Sequence, residues 1–380
     1  MGRNATSIFQ LSAILLAFVG GWFGYAYINQ ASTQADRGFL WVMGVILVTI
    51  AAIVIGTFLN IILHEAGHLA GGLLTGYGFV FFSVLGLSII KENGKLVRKK
   101  YGVAGTGGGC MLSPPDMKNG RYPYKLYFSG GFLANFLASA ICFSLFYNLA
   151  GTVDFWSRAF LVTGIASAFL GLTNFVPHNV ISPSDGYFIF NLGKEKHTAM
   201  RRGVWSCFRT QGLIAEGSRP RDIPAELFSW VDVSDISDPF TMETAKNRYE
   251  YLLDRQELGE AKLLIQALCD HLQDAPEMQK MSCYCELLFH ELIGECRQEE
   301  IDRLYDEKLK KYIKAAHSEI SAQRLMYAYA RLVLRDAAKA KEHIDLFHKA
   351  CAMPLQLGFA PGGQELIALI DTIADQRESN

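Results

Sequence analysis

The stretch LNIILHEAGHLAGG, residues 59–72, sets His64, Glu65 and His68 into apolar sequence that runs without a charge from about Phe39. On a helix, residues four apart share a face, so His64 and His68 can reach one ion. Glu65 sits beside them, placed to take a proton from water activated there. Two neutral imidazoles suit zinc, and a catalytic zinc keeps one position open for water. Ionisable groups inside a membrane-spanning segment are costly and are kept mainly for function or pairing. No Lys or Arg lies on the same helix to pair with these three.

Outward from this stretch, the chain divides in two. Of its 380 residues 50% are hydrophobic and 19% charged, against about a quarter charged in an ordinary soluble domain. The deficit falls in residues 1–190, whereas 195–380 reads as soluble sequence. A bilayer-spanning helix needs about 20 mostly apolar residues. Four segments qualify: Ile8–Ile28, Phe39 to the His64 region, Tyr124–Leu149 and Phe155–Phe175. Lys91, Lys95, Arg98, Lys99, Lys100, Lys118 and Arg121 follow the second. Lys194, Lys196, Arg201 and Arg202 follow the fourth, and the opposite loops offer only Arg37 and Arg158. The positive-inside rule then puts both termini in the cytoplasm. The eight cysteines show no metal-type spacing and read as reduced thiols, in keeping with a cytosolic C-terminal half.

Between the second and third spans, two β-type runs flank Glu92-Asn93-Gly94, and Asn-Gly is a strong hairpin signal. This predicts a β-hairpin near 79–104, then a Gly/Pro loop. From about Ser229 the pattern is amphipathic and helical. Aligning Ala261, Ile301 and Ala340 gives a period of about 40 residues, typical of helical-hairpin repeats. The units resemble tetratricopeptide repeats, and a plain helical bundle is the alternative. The expected fold class is mainly α: a polytopic membrane bundle of about four helices plus the hairpin, followed by a soluble α-helical repeat-like domain. The divisions are 1–38 for the first span and its loop, 39–193 for the membrane core, 194–228 for a linker and 229–380 for the helical domain.

A third metal ligand is needed, and the best candidate is Asp185 in LTNFVPHNVISPSDGYFIF; alone, it reads equally as a Ser-Asp-Gly turn. HEAGH on a membrane helix, followed by Asn174-x-x-Pro177 and then Asp185-Gly186, resembles the paired motifs of the site-2 protease family of intramembrane zinc metalloproteases. The resemblance covers residues 39–192. It implies that Asp185 completes a Zn2+ site with His64 and His68, that Glu65 is the catalytic base, and that Asn135 and Asn174 bind substrate backbone or support the transition state. From the residues alone, either asparagine reads equally as a hydrogen bond to a neighbouring helix, and Asn174 as a helix end. Gly131-Phe132-Leu133-Ala134-Asn135 is similar to the family's Gly-Pro-x-x-Asn motif, with Phe132 replacing the proline. The hairpin resembles the family's β-element that holds substrate extended. The stretch from Pro177 to Asp185 is longer than the family's compact form, and no PDZ or CBS module has room. Gly130 and Gly131 read as close-packing positions, and His178 as a solvated or hydrogen-bonded loop residue.

The resemblance implies hydrolysis of a peptide bond in or near a substrate's transmembrane segment, in an integral protein of the bacterial cytoplasmic membrane. Its substrate is a membrane protein or membrane-associated peptide, and the helical domain recruits a protein partner or gates access. Two other readings use the same residues: a non-proteolytic zinc-binding scaffold, against which Glu65 speaks, and a metal-ion transporter, against which the lack of an inverted repeat speaks. The formal net charge of -1 gives no concentrated basic surface for nucleic acid.

Overall fold

A computed structural model describes residues 39–92, 94–100, 107–149, 155–179, 183–228, 239–272, 275 and 277–379. The predicted span near Ile8–Ile28 and the turn residue Asn93 lie outside these. The chain is mainly helical with one small sheet. Helix α1 (Phe39–Leu74) leads into strands β1 (Gly78–Val84), β2 (Leu87–Glu92), β3 (Lys95–Lys100) and β4 (Gly108–Ser113), followed by α2 (Lys125–Asn148) and α3 (Phe155–Phe175).

Three helical segments among the described residues are long and apolar enough to cross a membrane: Thr49–Leu74, Lys125–Asn148 and Trp156–Phe175. Large apolar side chains stand exposed on their outer faces, among them Ile50, Ile55, Leu59, Leu137, Ile141 and Trp156. An exposed apolar band of this kind marks a surface that contacts a membrane or another protein. The helices contact one another through small residues. A Cβ at Gly67 would sit 2.1 Å from the Gly130 carbonyl oxygen, and one at Gly71 would sit 2.2 Å from that of Leu126. Small residues allow this close approach, which drives helix association in lipid.

The predicted hairpin is half of a larger element: an antiparallel sheet of order β3-β2-β1-β4. Strands β2 and β3 pair as far as Glu92 opposite Lys95, with Gly94 at φ 76° just before β3. A second two-residue turn splits the apolar run FVFFSVLGLSII. Leu85 (φ 53°) and Gly86 (φ 75°) both take positive φ between paired Val84 and Leu87. A leucine at positive φ is uncommon, so no turn signal precedes it. A register shift between Phe79 and Phe81 lets both Val80 and Phe81 face the core.

Beyond these three helices come a short α4 (Asp185–Asn191) and α5 (Thr198–Ala215). Residues 194–228, expected as a linker, therefore contain an 18-residue helix. Met200, Val204, Cys207 and Ile214 bury one face of α5, the spacing of a packed helix. Arg201 and Arg202, counted in the sequence among the charges that orient the chain, lie on this helix. Arg201 is buried, donating to the carbonyl oxygens of Leu192 (2.8 Å) and Gly120 (3.0 Å).

The helical domain runs through α6 (Pro239–Asp254), α7 (Leu258–Asp270), α8 (Glu277–Ile293), α9 (Gln298–Leu304), α10 (Glu307–Ala315), α11 (Ile320–Tyr329), α12 (Ala337–Cys351) and α13 (Ala360–Ser379). Three helix pairs, α6/α7, α8/α9 and α11/α12, each break at a left-handed residue: Gln256, Cys296 and Arg335. Each lies five positions before buried Ala261, Ile301 and Ala340, so the period of about 40 residues is the spacing of these breaks. Helix α10 is inserted between the second and third pairs. Arg219 and Arg221 fasten the segment after α5 to this domain through Asp254 and Glu365.

Candidate metal centre

The 26-residue span Thr49–Leu74 carries the two histidines on one face of α1, about 15 Å inside its Leu74 end for His64 at 1.5 Å per residue. Asp185 arrives from α4, whose N-terminus is knotted by Ser184. The Ser184 hydroxyl caps the helix by accepting from the Tyr187 amide, and donates to the Val176 carbonyl oxygen at 2.8 Å. It also accepts from the His178 amide at 3.1 Å. Gly186 lets α4 seat against the end of α3, since a Cβ there would lie 1.8 Å from the Phe175 oxygen.

The result is a triangle of ligand atoms. His64 Nε2 and His68 Nε2 are 3.1 Å apart, and Asp185 Oδ2 lies 3.3 and 3.4 Å from them. Bonds of 2.0–2.1 Å to a tetrahedral zinc put neighbouring ligand atoms about 3.3 Å apart. The tautomers point the same way. His64 Nδ1 lies 2.8 Å from Asn135 Oδ1, and His68 Nδ1 lies 2.8 Å from the Tyr127 carbonyl oxygen. Both partners accept, so each Nδ1 carries the hydrogen and each Nε2 a free lone pair. Asp185 Oδ2 is buried without a hydrogen bond. Three lone pairs meeting at one point repel unless a cation lies among them. His64, His68 and Asp185 thus form a group that can hold a metal ion.

Two glycines make room for this arrangement. A Cβ on Gly131 would lie 2.5 Å from both His64 Cε1 and His68 Nε2. Gly131 is therefore an element of the site and not only a packing position. Gly108 brings β4 against the Glu65 side chain, with its hypothetical Cβ 3.0 Å from Glu65 Cγ. The next residue but one on β4, Cys110, hydrogen-bonds Glu65 through its backbone N–H. The Tyr127 hydroxyl holds the Cys110 carbonyl oxygen at 2.8 Å. Burial pushes the Cys110 thiol well above its usual range, and neighbouring Glu65 adds to this, so the thiol is neutral.

Asn135 is fully buried beneath His64, and both ends of its amide are used. Its Oδ1 meets His64, while Nδ2 donates to the Asn60 carbonyl oxygen at 3.1 Å. Asn60 Oδ1 accepts from Ser167 Oγ at 2.6 Å. The chain Ser167–Asn60–Asn135–His64 links α3, α1 and α2 behind the first ligand. Asn60 and Ser167 were not among the predicted site residues. The signal for Asn60 was available: it precedes His64 by one helical turn in an apolar span. Asn174 donates to the Leu170 carbonyl oxygen of its own helix (2.9 Å), and no described contact joins it to the triad. His178 Nε2 faces the Thr173 carbonyl oxygen at 3.2 Å. Comparison with protein-family models, curated proteins and solved structures finds no match to this chain.

Proposed function

We propose that this chain is an intramembrane zinc metalloprotease of the site-2 protease kind, hydrolysing a peptide bond in or beside a substrate's transmembrane segment. The observation that carries the reading is the convergence of His64, His68 and Asp185, with Glu65 adjacent, among helices long enough to span a membrane. Zinc is the ion proposed because two neutral imidazoles and one carboxylate, with a fourth position left to water, form a familiar donor set for hydrolytic zinc. When bound, zinc supplies Lewis acidity toward a carbonyl oxygen and lowers the pKa of water.

The protein's own residues do the rest. Asn135 and the Tyr127 carbonyl fix both rings so that their Nε2 atoms stay directed at one point. Glu65, held by the Cys110 amide, takes the proton of the attacking water and returns it to the departing amine. In this scheme Asn135 is a positioning residue, because its amide is occupied with His64 and Asn60. The proposed setting is the bacterial cytoplasmic membrane with both termini cytoplasmic, as the distribution of Lys and Arg suggests.

The test compares wild type with Glu65→Gln in liposomes containing a panel of membrane-spanning peptides, measuring cleavage and zinc content together. The expected result is zinc in both proteins and cleavage by wild type alone. Equal cleavage by both would remove Glu65 from the mechanism. Zinc in both with cleavage by neither, across the panel, would favour the non-proteolytic scaffold.

A further inference from the structure

The outer face of the sheet carries side chains that the proposed hydrolysis does not use. On β2, Ser88 and Ile90 are buried, so Leu87 and Ile89, which alternate with them, lie on the opposite face, and both are exposed. Their partners across the strand pair are Lys100 and Arg98, in the register Leu87↔Lys100 and Ile89↔Arg98. Residues directly opposite share a face, with Cβ atoms about 5 Å apart. Two apolar side chains and two cations therefore form one patch. Leu96 extends it along β3 and Leu85 at the β1–β2 turn, 67% and 52% exposed.

The fold makes no use of these two cations. Lys91 is paired with Glu216 and Lys99 with Glu92, whereas Arg98 and Lys100 have no ion pair among the described residues. Position decides what the patch meets. The Leu85 amide donates to the Gly107 carbonyl oxygen at 3.1 Å, and a Cβ at Gly107 would lie 2.9 Å from Ile61 Cδ1. Ile61 lies within Thr49–Leu74, long and apolar enough to cross a membrane. The turn end of the sheet, with the Leu87–Lys100 pair, thus stands at that helix.

Water alone would leave four large apolar side chains exposed, and hydrocarbon alone would leave two charges unpaired. The boundary where lipid phosphates lie suits both, because long basic side chains can rest their stems on apolar surface and carry the charge to the headgroups. We infer that this face binds anionic phospholipid, with Arg98 and Lys100 on the phosphate and Leu85, Leu87 and Ile89 against the acyl chains. A soluble acidic partner would answer the two cations but not the apolar side chains set between them. The inference shares the membrane reading of the helices with the proposed function and is independent of zinc and of hydrolysis.

The full-length protein is reconstituted in vesicles of equal phosphatidylcholine and phosphatidylglycerol and re-extracted in mild detergent, and its retained lipids are counted by mass spectrometry. Resistance of the protein to alkaline extraction from phosphatidylcholine vesicles tests the membrane reading separately. Two cations at an anionic surface favour the anionic lipid by up to about thirtyfold, so retained phosphatidylglycerol should exceed phosphatidylcholine at least about fivefold. Arg98→Gln/Lys100→Gln should abolish that excess with circular dichroism unchanged. Lys311→Gln/Lys314→Gln, which removes the same charge from exposed positions on α10, should leave it intact. Leu87→Ser/Ile89→Ser should lower it, as a bare phosphate site would not. Equal retention of the two lipids by wild type, an excess that survives loss of Arg98 and Lys100, or an equal fall in the α10 variant would each overturn the assignment.

Discussion

Replacing Gly131 by Ala adds one methyl group at the most crowded point of the metal centre. The new Cβ would sit 2.5 Å from His64 Cε1, 2.5 Å from His68 Nε2 and 2.7 Å from His64 Nε2. Carbon contacts relax at roughly 3.5 Å, so each ring must retreat by about 1 Å. Metal–ligand distances tolerate only about 0.2 Å. Losing one outer-shell contact at a metal ligand typically costs 10–100-fold in affinity. Moving two ligands at once should therefore cost at least about 100-fold, or about 2.7 kcal/mol. The substitution is not harmful to the helix itself, where Ala is favoured over Gly by about 1 kcal/mol. The rings can retreat from the methyl group only by straining their bonds to Asn135 and the Tyr127 carbonyl. The metal-free variant should therefore also melt below metal-free wild type, and zinc affinity is compared at a temperature where both are folded. Gly259→Ala on α7, where a Cβ meets nothing within 4 Å, is the control. The assay is zinc stoichiometry against a graded chelator, with circular dichroism to verify the fold. Wild-type zinc affinity in Gly131→Ala would refute the placement of the ion between these rings.

Other substitutions probe different parts of the account. Asn135→Leu removes the acceptor of His64 Nδ1 and should lower zinc affinity 10–100-fold with the helices intact, measured by the same chelator competition. Gly186→Ala drives a methyl group to 1.8 Å from the Phe175 oxygen and should displace α4 with Asp185, lowering both zinc content and the thermal midpoint. In the helical domain, His290 is buried, and burial followed by the charges of Arg324 and Lys262 lowers its pKa to about 3. The unfolded chain takes up this proton first, near pH 6.5, so stability falls as pH drops from there toward 3. Between pH 7.5 and 5 the loss from this one group should be about 2 kcal/mol. Urea unfolding of wild type and His290→Leu in detergent should show that difference in acid sensitivity; equal sensitivity would mean that His290 is not held neutral.

The readability of the sequence follows the range of the interactions. His64, Glu65 and His68 were legible because one helical turn brings them together, and Asn93-Gly94 because a two-residue turn is a local event. Asp185 needed the resemblance, since the contact that brings it to the histidines is made by Ser184 and Gly186 against the end of α3. The role of Gly131 depends on how closely α1 and α2 approach, which no local pattern encodes. Helix α5 fell within the expected linker because the carbonyl groups of Leu192 and Gly120 that bury Arg201 are supplied by the fold and not by a local pattern. The turn at Leu85-Gly86 escaped because tertiary packing imposes positive φ on a leucine.

The zinc ion proposed to lie among His64, His68 and Asp185 is tested most directly by the zinc X-ray absorption spectrum of the purified protein. Two imidazole nitrogens plus oxygen ligands at about 2.0–2.1 Å, and no sulfur, are expected. The imidazole signature should be lost in His64→Ala/His68→Ala. A sulfur shell near 2.3 Å, or an unchanged spectrum in the double variant, would contradict that placement.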